Sequence, residues 1–193
     1  MLTLYAKNVN GVWFGAACQN ETVYATAFAF NKKNVLLNLL RNIPFNVPFQ
    51  HKEKTTNFAE KIVSSLAEIY QGYGCFQSFK LDMQALSCYA RKVIQAVASI
   101  PVGYVSSYGS VAKVSGGSAR AVGRVMALNP FPLIIPCHRV VASNFSLTGY
   151  MAGSKVKMEI LRREKRGFTS EKIISIDDGD LRVFPVEFAL KSA

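Results

Sequence analysis

The segment with the strongest chemical character runs from Asn129 to Val141 and reads NPFPLIIPCHRVV. Prolines stiffen the backbone around its apolar residues, so the chain is held rigid as it reaches Cys137. His138 and Arg139 follow directly. Because cationic neighbours favour a thiolate over a thiol, we expect a lowered pKa at Cys137. The pattern predicts a nucleophilic cysteine.

The other cysteines show no comparable pattern. Cys18, Cys75 and Cys88 are scattered without C-x-x-C spacing, and the chain has two histidines, His51 and His138. Since a zinc site needs several such ligands at short spacing, no metal site is predicted. A chain without an export signal is also a poor candidate for disulfide bonds. We interpret the three cysteines as buried structural residues.

The composition is that of a globular protein. Of the 193 residues 50% are hydrophobic and 18% are charged, which excludes disordered and collagen-like chains. No apolar run approaches the roughly 18 residues that a membrane span requires. The opening residues, MLTLYAKNVNG, lack the basic head and unbroken apolar stretch of a signal peptide. We therefore expect an intracellular protein, cytoplasmic or, in a eukaryote, nuclear.

Positive charge is concentrated in one part of the chain. The formal net charge is +11, and residues 84–167 hold twelve basic residues against two acids. A phosphate backbone selects for such a concentration, because each neutralised phosphate releases counterions. A basic surface that serves only solubility is the alternative. The charge favours a nucleic-acid partner.

The first part of the chain is predicted to be an α/β domain over residues 1–80. Asn31 caps a predicted helix to Arg41, and Thr55 or Thr56 opens a second one to Tyr70. We place the domain boundary in the extended segment 76–81, where the charge balance changes. Runs rich in β-branched and aromatic residues, separated by Asn-Gly and Asn-Glu turns, predict an antiparallel meander of Leu2–Ala6, Val12–Ala17 and Thr22–Phe30.

Residues 84–167 are predicted to form a mainly helical domain. Ser110 caps a predicted short helix, Gly116 and Gly117 form a tight turn, and Ser118 caps a second helix to about Leu128. Helix, glycine turn and helix make up the helix-turn-helix plan. The second helix carries mostly small residues beside Arg120, which lets it approach either another helix or a nucleic-acid backbone closely.

Three motifs together identify a family resemblance. PCHRV at Pro136–Val140, ARAVG at Ala119–Gly123 and the NP pair at Asn129 closely resemble the methylated-DNA-protein cysteine methyltransferases, which are O6-alkylguanine-DNA alkyltransferases. The resemblance covers about Leu86 to Gly167. It implies an N-terminal domain of ribonuclease H type and a helix-turn-helix of winged-helix type.

The resemblance also implies an activity. A member of this family repairs DNA by moving an alkyl group, such as methyl, from guanine O6 to its own cysteine, here Cys137, stoichiometrically and irreversibly. The implied partner is duplex DNA that contains O6-alkylguanine, and the implied protein is a monomer without cofactor or metal. The alkylated base must be flipped out of the stack before a thiolate can reach it.

Each matching residue then acquires an expected role. Arg120 resembles the finger that fills the gap left by the flipped base, and Tyr108 resembles the tyrosine that turns the nucleotide out. Cys137 is the expected nucleophile, with its proton drawn towards His138 through a water molecule because adjacent residues of an extended chain point to opposite sides. Asn129 resembles a hinge that ties the helix to the active-site segment. The remaining expected DNA contacts are Ser118, Ala121, Gly123 and Arg124, and the expected substrate pocket is Met126, Asn129, Pro132, Val140 and Tyr150.

Two features depart from the family pattern: the acid that follows Lys157, and the lid region, where the usual Tyr-Ser-Gly-Gly reads YMAG at Tyr150–Gly153. A glutamate is expected directly after Lys157 to hold the histidine, but Met158 stands there and Glu159 comes one residue later. We expect Glu159 to be recruited as the partner of His138, since a basic pocket without an acid would leave the imidazole poorly oriented. Residues 168–193 form an acidic extension that we expect to be packed.

Three other functions agree with part of the sequence, and each conflicts with another part. A helix-turn-helix regulator without chemistry leaves NPFPLIIPCHRVV unexplained. An alkyltransferase-like protein that binds damaged guanine without repairing it would lack the cysteine, and Cys137 is present. A hydrolase of Cys-His type needs a histidine remote in sequence, for which only His51 is available.

Overall fold

Residues 1–43, 47–52, 56–74 and 77–192 are described by the computed structural model of the protein. The chain forms two compact units. The first unit consists of residues 1–69, 75–85 and 130–134. The second consists of residues 70–74, 86–129 and 135–193.

The first unit is built on a five-stranded sheet. β1 (Leu2–Val9), β2 (Val12–Gln19) and β3 (Thr22–Ala29) form the predicted antiparallel meander. Both hairpin turns place two residues in the left-handed region, which tight hairpins require. β4 (Phe49–His51) pairs in parallel with β1, and β5 (Lys80–Leu81) pairs in parallel with β3, so the strand order is β4-β1-β2-β3-β5.

Two helices accompany this sheet. α1 (Lys32–Asn42) is capped by Asn31 and buries Val35 and Leu39 against strand residues. The helix lies so close to β2 that a Cβ at Gly15 would collide with the Val35 side chain. α2 (Asn57–Tyr70) follows Thr56, whose Oγ1 accepts a hydrogen bond from the amide of Ala59 at 3.2 Å. The other predicted start, Thr55, lies outside the described residues.

The proline-rich run at residues 130–134 lies within the predicted range 84–167 and belongs to the first compact unit. The amide of Thr26 donates to the Pro130 carbonyl, and Thr26 Oγ1 donates to the Pro132 carbonyl, both at 2.9 Å. A proline residue has no amide hydrogen, but its carbonyl still accepts hydrogen bonds. Here Thr26 supplies the donors for the carbonyls of Pro130 and Pro132.

The second unit combines helices with a four-stranded sheet. Its helices are α3 (Cys88–Ala98), α4 (Tyr108–Ser115), α5 (Ala119–Ala127), α6 (Ser154–Arg163) and α7 (Val186–Lys191). Its strands are β6 (Tyr104–Ser107), β7 (Val140–Val141), β8 (Lys172–Ile176) and β9 (Gly179–Pro185), and a 3-10 helix spans Cys137–Arg139. The strand order is β7-β6-β9-β8.

The acidic segment from residue 168 onwards is integral to this unit. β9 pairs antiparallel with β6, which precedes α4 directly. Val183 and Val186 are fully buried, in agreement with the expectation of a packed segment. The sheet therefore links this segment to the strand that leads into the helical pair.

Helix α4, the first helix of the pair α4 and α5, begins three residues earlier than predicted. Ser107, rather than Ser110, is the N-cap of α4, because its Oγ accepts a hydrogen bond from the Ser110 amide at 2.9 Å. Tyr108 thus becomes the first residue of the helix. α4 and α5 are joined through Gly116 and Gly117, both with positive φ, and both helices pack against α3. Among the described residues no helix is both long and apolar enough to cross a membrane.

Candidate active site

A 3-10 helix positions Cys137. Cys137, His138 and Arg139 form this short helix, so the expectation of an extended chain at this point was wrong. Its first amide, that of Cys137, donates to the Ile135 carbonyl at 2.8 Å. The Asn129 side chain donates to the same carbonyl at 3.2 Å, which connects the end of α5 to the approach of the cysteine.

His138 is held by a carboxylate. Its Nε2 lies 2.9 Å from Glu164 Oε1, and both side chains are fully buried. A carboxylate only accepts, so Nε2 carries the proton of a neutral imidazole and Nδ1 is left to accept. Nδ1 is buried and has no hydrogen-bond partner within the described part of the chain. The geometry therefore leaves His138 with one basic nitrogen available.

Arg139 fixes the carboxylate in turn. Its Nε donates to both oxygens of Glu164 at 3.1 and 3.0 Å, and its Nη2 donates to Oε1 at 2.8 Å. Its Nη1 donates to the Ile100 carbonyl at 2.6 Å. Burial opposes ionisation of Glu164, but the charges and hydrogen bonds of His138 and Arg139 outweigh it and lower its pKa to about 2. The carboxylate is thus ionised at neutral pH.

Glu159 does not have the role that we expected. It is half exposed and pairs with Arg163 one turn further along α6, whereas Glu164 contacts His138. Each residue of a helix turns by about 100°, which carries Glu159 away from the face of Lys157 and returns Glu164 to it two turns later. That spacing of seven residues was the available signal in the sequence. In the structure Lys157, Ile160 and Leu161 are the buried residues of α6, and Glu164 at its C-cap is buried as well.

Burial has the largest influence on the pKa of the Cys137 thiol. Cys137 is 7% exposed, and this desolvation raises the pKa of its thiol above the usual range. A hydrogen bond from Asn129, the charge of Lys157 and nearby backbone amides act in the opposite direction without reversing the shift. The expected lowering of the Cys137 pKa was therefore wrong, because Arg139 is engaged by Glu164. The buried thiol is therefore protonated at neutral pH.

Lys157 is a buried cation that the sequence analysis did not assign. Its Nζ donates to the Val140 carbonyl at 2.5 Å and to the Thr148 carbonyl at 3.4 Å. It lies 6.0 Å from the ring centroid of Tyr108 and 5.9 Å from that of Tyr150. Burial lowers its pKa to about 8, against the attraction of the Cys137 thiolate. The charge of Lys157 thus lies close to the Val140 carbonyl and to both tyrosine rings, and it interacts electrostatically with Cys137.

The two tyrosines are placed differently. The Tyr108 hydroxyl donates to the Thr148 carbonyl at 3.4 Å, and burial, together with the negative charge of Cys137, raises its pKa. The Tyr150 hydroxyl is buried without a hydrogen-bond partner in the described residues, and burial raises its pKa well above 10. Of the other predicted pocket residues, Met126, Asn129 and Val140 are buried in the same unit, whereas Pro132 lies in the first unit and its role stays a prediction.

Helix α5 presents the predicted DNA-contacting residues at the surface. Ser118 caps it, with Oγ accepting from the Ala121 amide at 3.2 Å. Arg120 and Arg124 are exposed one turn apart. A Cβ at Gly123 would meet nothing within 4 Å, so no neighbouring helix among the described residues accounts for the glycine.

The structure describes two of the other three cysteines. Cys18 is buried in the first unit, where burial raises the pKa of its thiol. Cys88 carries a free thiol but is exposed, so its interpretation as buried was wrong. Cys75 lies outside the described residues. In the part of the chain that is described, no cluster of three or more His, Cys, Asp or Glu residues could hold a metal ion.

The buried carboxylate of Glu164 should make the free energy of unfolding depend on pH in the acidic range. The pKa of Glu164 falls from 4.5 to about 2 on folding, so its contribution is complete above about pH 4.5 and is lost as the pH falls towards 2. That shift corresponds to about 3 kcal/mol. We expect the difference in unfolding free energy between wild type and Glu164→Gln to narrow by about this amount from pH 5 to pH 2. Urea denaturation at a series of pH values measures it, and a constant difference would contradict the prediction.

Comparisons with known proteins agree with this geometry. Residues 89–166 match the family described as 6-O-methylguanine DNA methyltransferase, DNA binding domain. A methylated-DNA--protein-cysteine methyltransferase from Methanothermobacter thermautotrophicus is 42% identical over 94 residues, which cover 47% of this chain and 53% of the relative. One of the same name from Pyrobaculum aerophilum is 55% identical over 65 residues, which cover 34% of this chain and 44% of the relative. The matched segments thus span about half the length of these curated relatives.

A solved structure extends the similarity to most of the fold. The crystal structure of O6-methylguanine-DNA methyltransferase from Pyrococcus kodakaraensis is 28% identical, with a TM-score of 0.63. The similarity covers 85% of this chain and 99% of that protein. The resemblance inferred from PCHRV and ARAVG is confirmed. Residues 89–166 of the chain are therefore similar to the DNA binding domain of the 6-O-methylguanine DNA methyltransferases.

Proposed function

We propose that the protein repairs DNA by transferring an alkyl group from O6 of guanine to its own Cys137. The observation that carries this proposal is the fully buried hydrogen bond between His138 Nε2 and Glu164, which leaves Nδ1 available in the residue next to Cys137. A DNA-binding protein without chemistry would have no use for this arrangement. The family match over residues 89–166 supports DNA as the partner.

The chemistry starts with removal of a proton. His138 Nδ1 takes the proton of the Cys137 thiol through a water molecule, since burial keeps that thiol protonated at neutral pH. Glu164 is ionised and stabilises the imidazolium that forms, and the buried charge of Lys157 favours the thiolate. The relay thus supplies a nucleophile that the buried thiol alone would not provide.

The transfer itself is a displacement at carbon. The thiolate of Cys137 attacks the alkyl carbon, a carbon-sulfur bond forms, and the bond between that carbon and guanine O6 breaks. The electron pair of the broken bond returns to the purine, which takes up a proton with support from the Tyr108 hydroxyl. Because the product thioether has no good leaving group, the cysteine is not regenerated, and each molecule reacts once.

Helix α5 is the element that we propose to enter the DNA. Small, partly exposed residues such as Ala121 and Gly123, beside the exposed Arg124, allow its backbone to approach the narrow minor groove. Ser118 marks the N-terminus of the helix, which faces a phosphate of the DNA backbone. Arg120 replaces the flipped base in the stack while the alkylated guanine enters a pocket that includes Met126, Asn129, Val140 and Tyr150.

The finer fold assignments belong to the same proposal. We infer a winged-helix arrangement because β9, which pairs with β8, packs against α4 of the helical pair. The five-stranded sheet with α1 and α2 supports the ribonuclease H assignment of the first unit. The domain ranges 1–80 and 84–167, an intracellular location and a monomeric state stay predictions.

The direct test follows the alkyl group. Duplex DNA with a labelled methyl group on guanine O6 is incubated with excess protein, and the protein is digested and its peptides analysed. We expect label on the Cys137 peptide, at no more than one methyl per protein and without turnover. Label released as a small molecule would instead indicate a hydrolase. His51, which a Cys-His hydrolase would require, is exposed in β4.

The proposed role of Arg120 predicts a difference between substrates. Arg120→Ala should lower the repair rate of duplex DNA by roughly 100-fold, because the flipped state loses the side chain that holds it open. Reaction with free O6-alkylguanine should change little, since the free base needs no flipping. Single-turnover rates on both substrates measure this. Equal losses would place Arg120 in the pocket instead.

A further inference from the structure

The carboxylate that holds His138 lies at a structurally weak position. Glu164 is the residue at which α6 ends, one residue beyond Arg163, and its amide donates to the Ile160 carbonyl at 3.1 Å. Helix ends fray, because their last carbonyls lack intrahelical partners. A displacement of about 1 Å at a catalytic group can reduce a rate roughly 100-fold. Something must therefore hold this end of α6.

The segment Tyr70–Gly74 contacts the C-terminal end of α6. Arg163 Nη1 donates to the Tyr70 carbonyl at 3.0 Å, and its guanidinium carbon lies 4.5 Å from the centroid of the Tyr70 ring. Arg166 donates from Nη2 to the Gly72 carbonyl at 2.5 Å and from Nη1 to the Arg163 carbonyl at 3.1 Å. Two arginines thus connect the segment to both sides of Glu164.

The closest approach involves the peptide group of Glu164 itself. Gly72 has a φ of +91°, and a Cβ there would lie 2.5 Å from the carbonyl carbon of Arg163, which is bonded to the Glu164 nitrogen. Only glycine permits both this conformation and this contact. Gly74, two residues on, has ordinary space, because a Cβ would meet a Val102 methyl at 3.6 Å.

We propose that the segment Tyr70–Gly74 positions Glu164 for the His138 relay, with Gly72 and Arg163 as its positioning residues. Neither touches the substrate, so both act through the Glu164 backbone. The inference deepens the proposed function and rests on it for its effect on alkyl transfer. Its effect on His138 can be measured without any substrate.

Two matched pairs of variants test the proposal. Arg163→Met keeps the stem but loses the guanidinium, and its control Arg162→Met removes an equal charge from an exposed position of the same helix. Gly72→Ala drives a methyl group against the Arg163 carbonyl, and its control is Gly74→Ala. The first pair keeps the test valid should Gly72→Ala fail to fold.

The primary readout is the His138 side chain by NMR. His51 is the other histidine of the chain, so the imidazole signals are readily distinguished. We expect Arg163→Met and Gly72→Ala to shift or broaden the Nε2 proton and to change the titration of His138, whose charged neighbours besides Glu164 are Arg139 and Lys157. The control variants should retain the wild-type signal.

The second readout is the single-turnover rate with free O6-alkylguanine as a function of pH. We expect a loss of roughly 10- to 100-fold for Arg163→Met relative to Arg162→Met. A lower melting temperature with an unchanged His138 signal and pH profile would show a merely structural role and overturn the proposal. If wild type transfers no alkyl group at all, the proposed function fails, whereas the His138 signal still decides whether the segment positions Glu164.

Discussion

Replacing Cys137 by serine is expected to abolish alkyl transfer, the largest effect of any single substitution. A serine hydroxyl has a far higher pKa than a thiol, so His138 cannot convert it to a useful nucleophile. The two side chains differ little in shape, and binding to alkylated duplex DNA should stay within about threefold of wild type. Transfer of labelled methyl and a fluorescence binding titration measure the two effects separately.

The remaining cysteines provide the controls. Cys18→Ser and Cys88→Ser should each retain transfer, because neither thiol belongs to the group of residues around His138. Cys18→Ser is expected to lower stability, since it puts a hydroxyl into a buried site. Transfer at the wild-type rate by Cys137→Ser would disprove the assigned nucleophile. Loss of transfer in either control would move the active site elsewhere.

Glu164→Gln should give the second-largest effect. Without the carboxylate, His138 loses the partner that stabilises its protonated form, and the Cys137 proton has no adequate acceptor. We expect the transfer rate at neutral pH to fall by roughly 100-fold, within the range for loss of acid-base catalysis. The buried guanidinium of Arg139 also loses its ion partner, which destabilises a protein by about 3–5 kcal/mol. Rates are therefore compared at a low temperature where circular dichroism shows both proteins folded.

Glu159→Gln is the matched control on the same helix. Glu159 is half exposed, and glutamine keeps an oxygen that accepts from Arg163. We expect its pH profile of single-turnover transfer to superimpose on that of wild type. If Glu159→Gln slowed transfer as much as Glu164→Gln, the relay would not be the one that the His138–Glu164 contact implies.

Short-range sequence patterns determined the meander, the family motifs and two helix caps. The antiparallel meander of β1, β2 and β3 follows from alternating apolar residues and Asn-containing turns, both short-range signals, whereas the parallel strand β4 was not predicted. The family resemblance was also recognisable, because PCHRV and ARAVG are contiguous motifs that can be read without knowledge of distant contacts. The caps at Asn31 and Ser118 were correct for the same reason.

The partners of these residues depended on packing. Glu164 lies 26 residues from His138 in the chain, and only the face on which α6 packs decides that it, rather than Glu159, meets the imidazole. The thiol pKa was misjudged because Arg139 was read as a neighbour in sequence, whereas in the fold its charge is directed to Glu164 and burial controls Cys137. Motifs thus specify which atoms can react. The protonation states of those atoms depend on burial and on ion pairs between remote residues, and these exist only once the chain is packed.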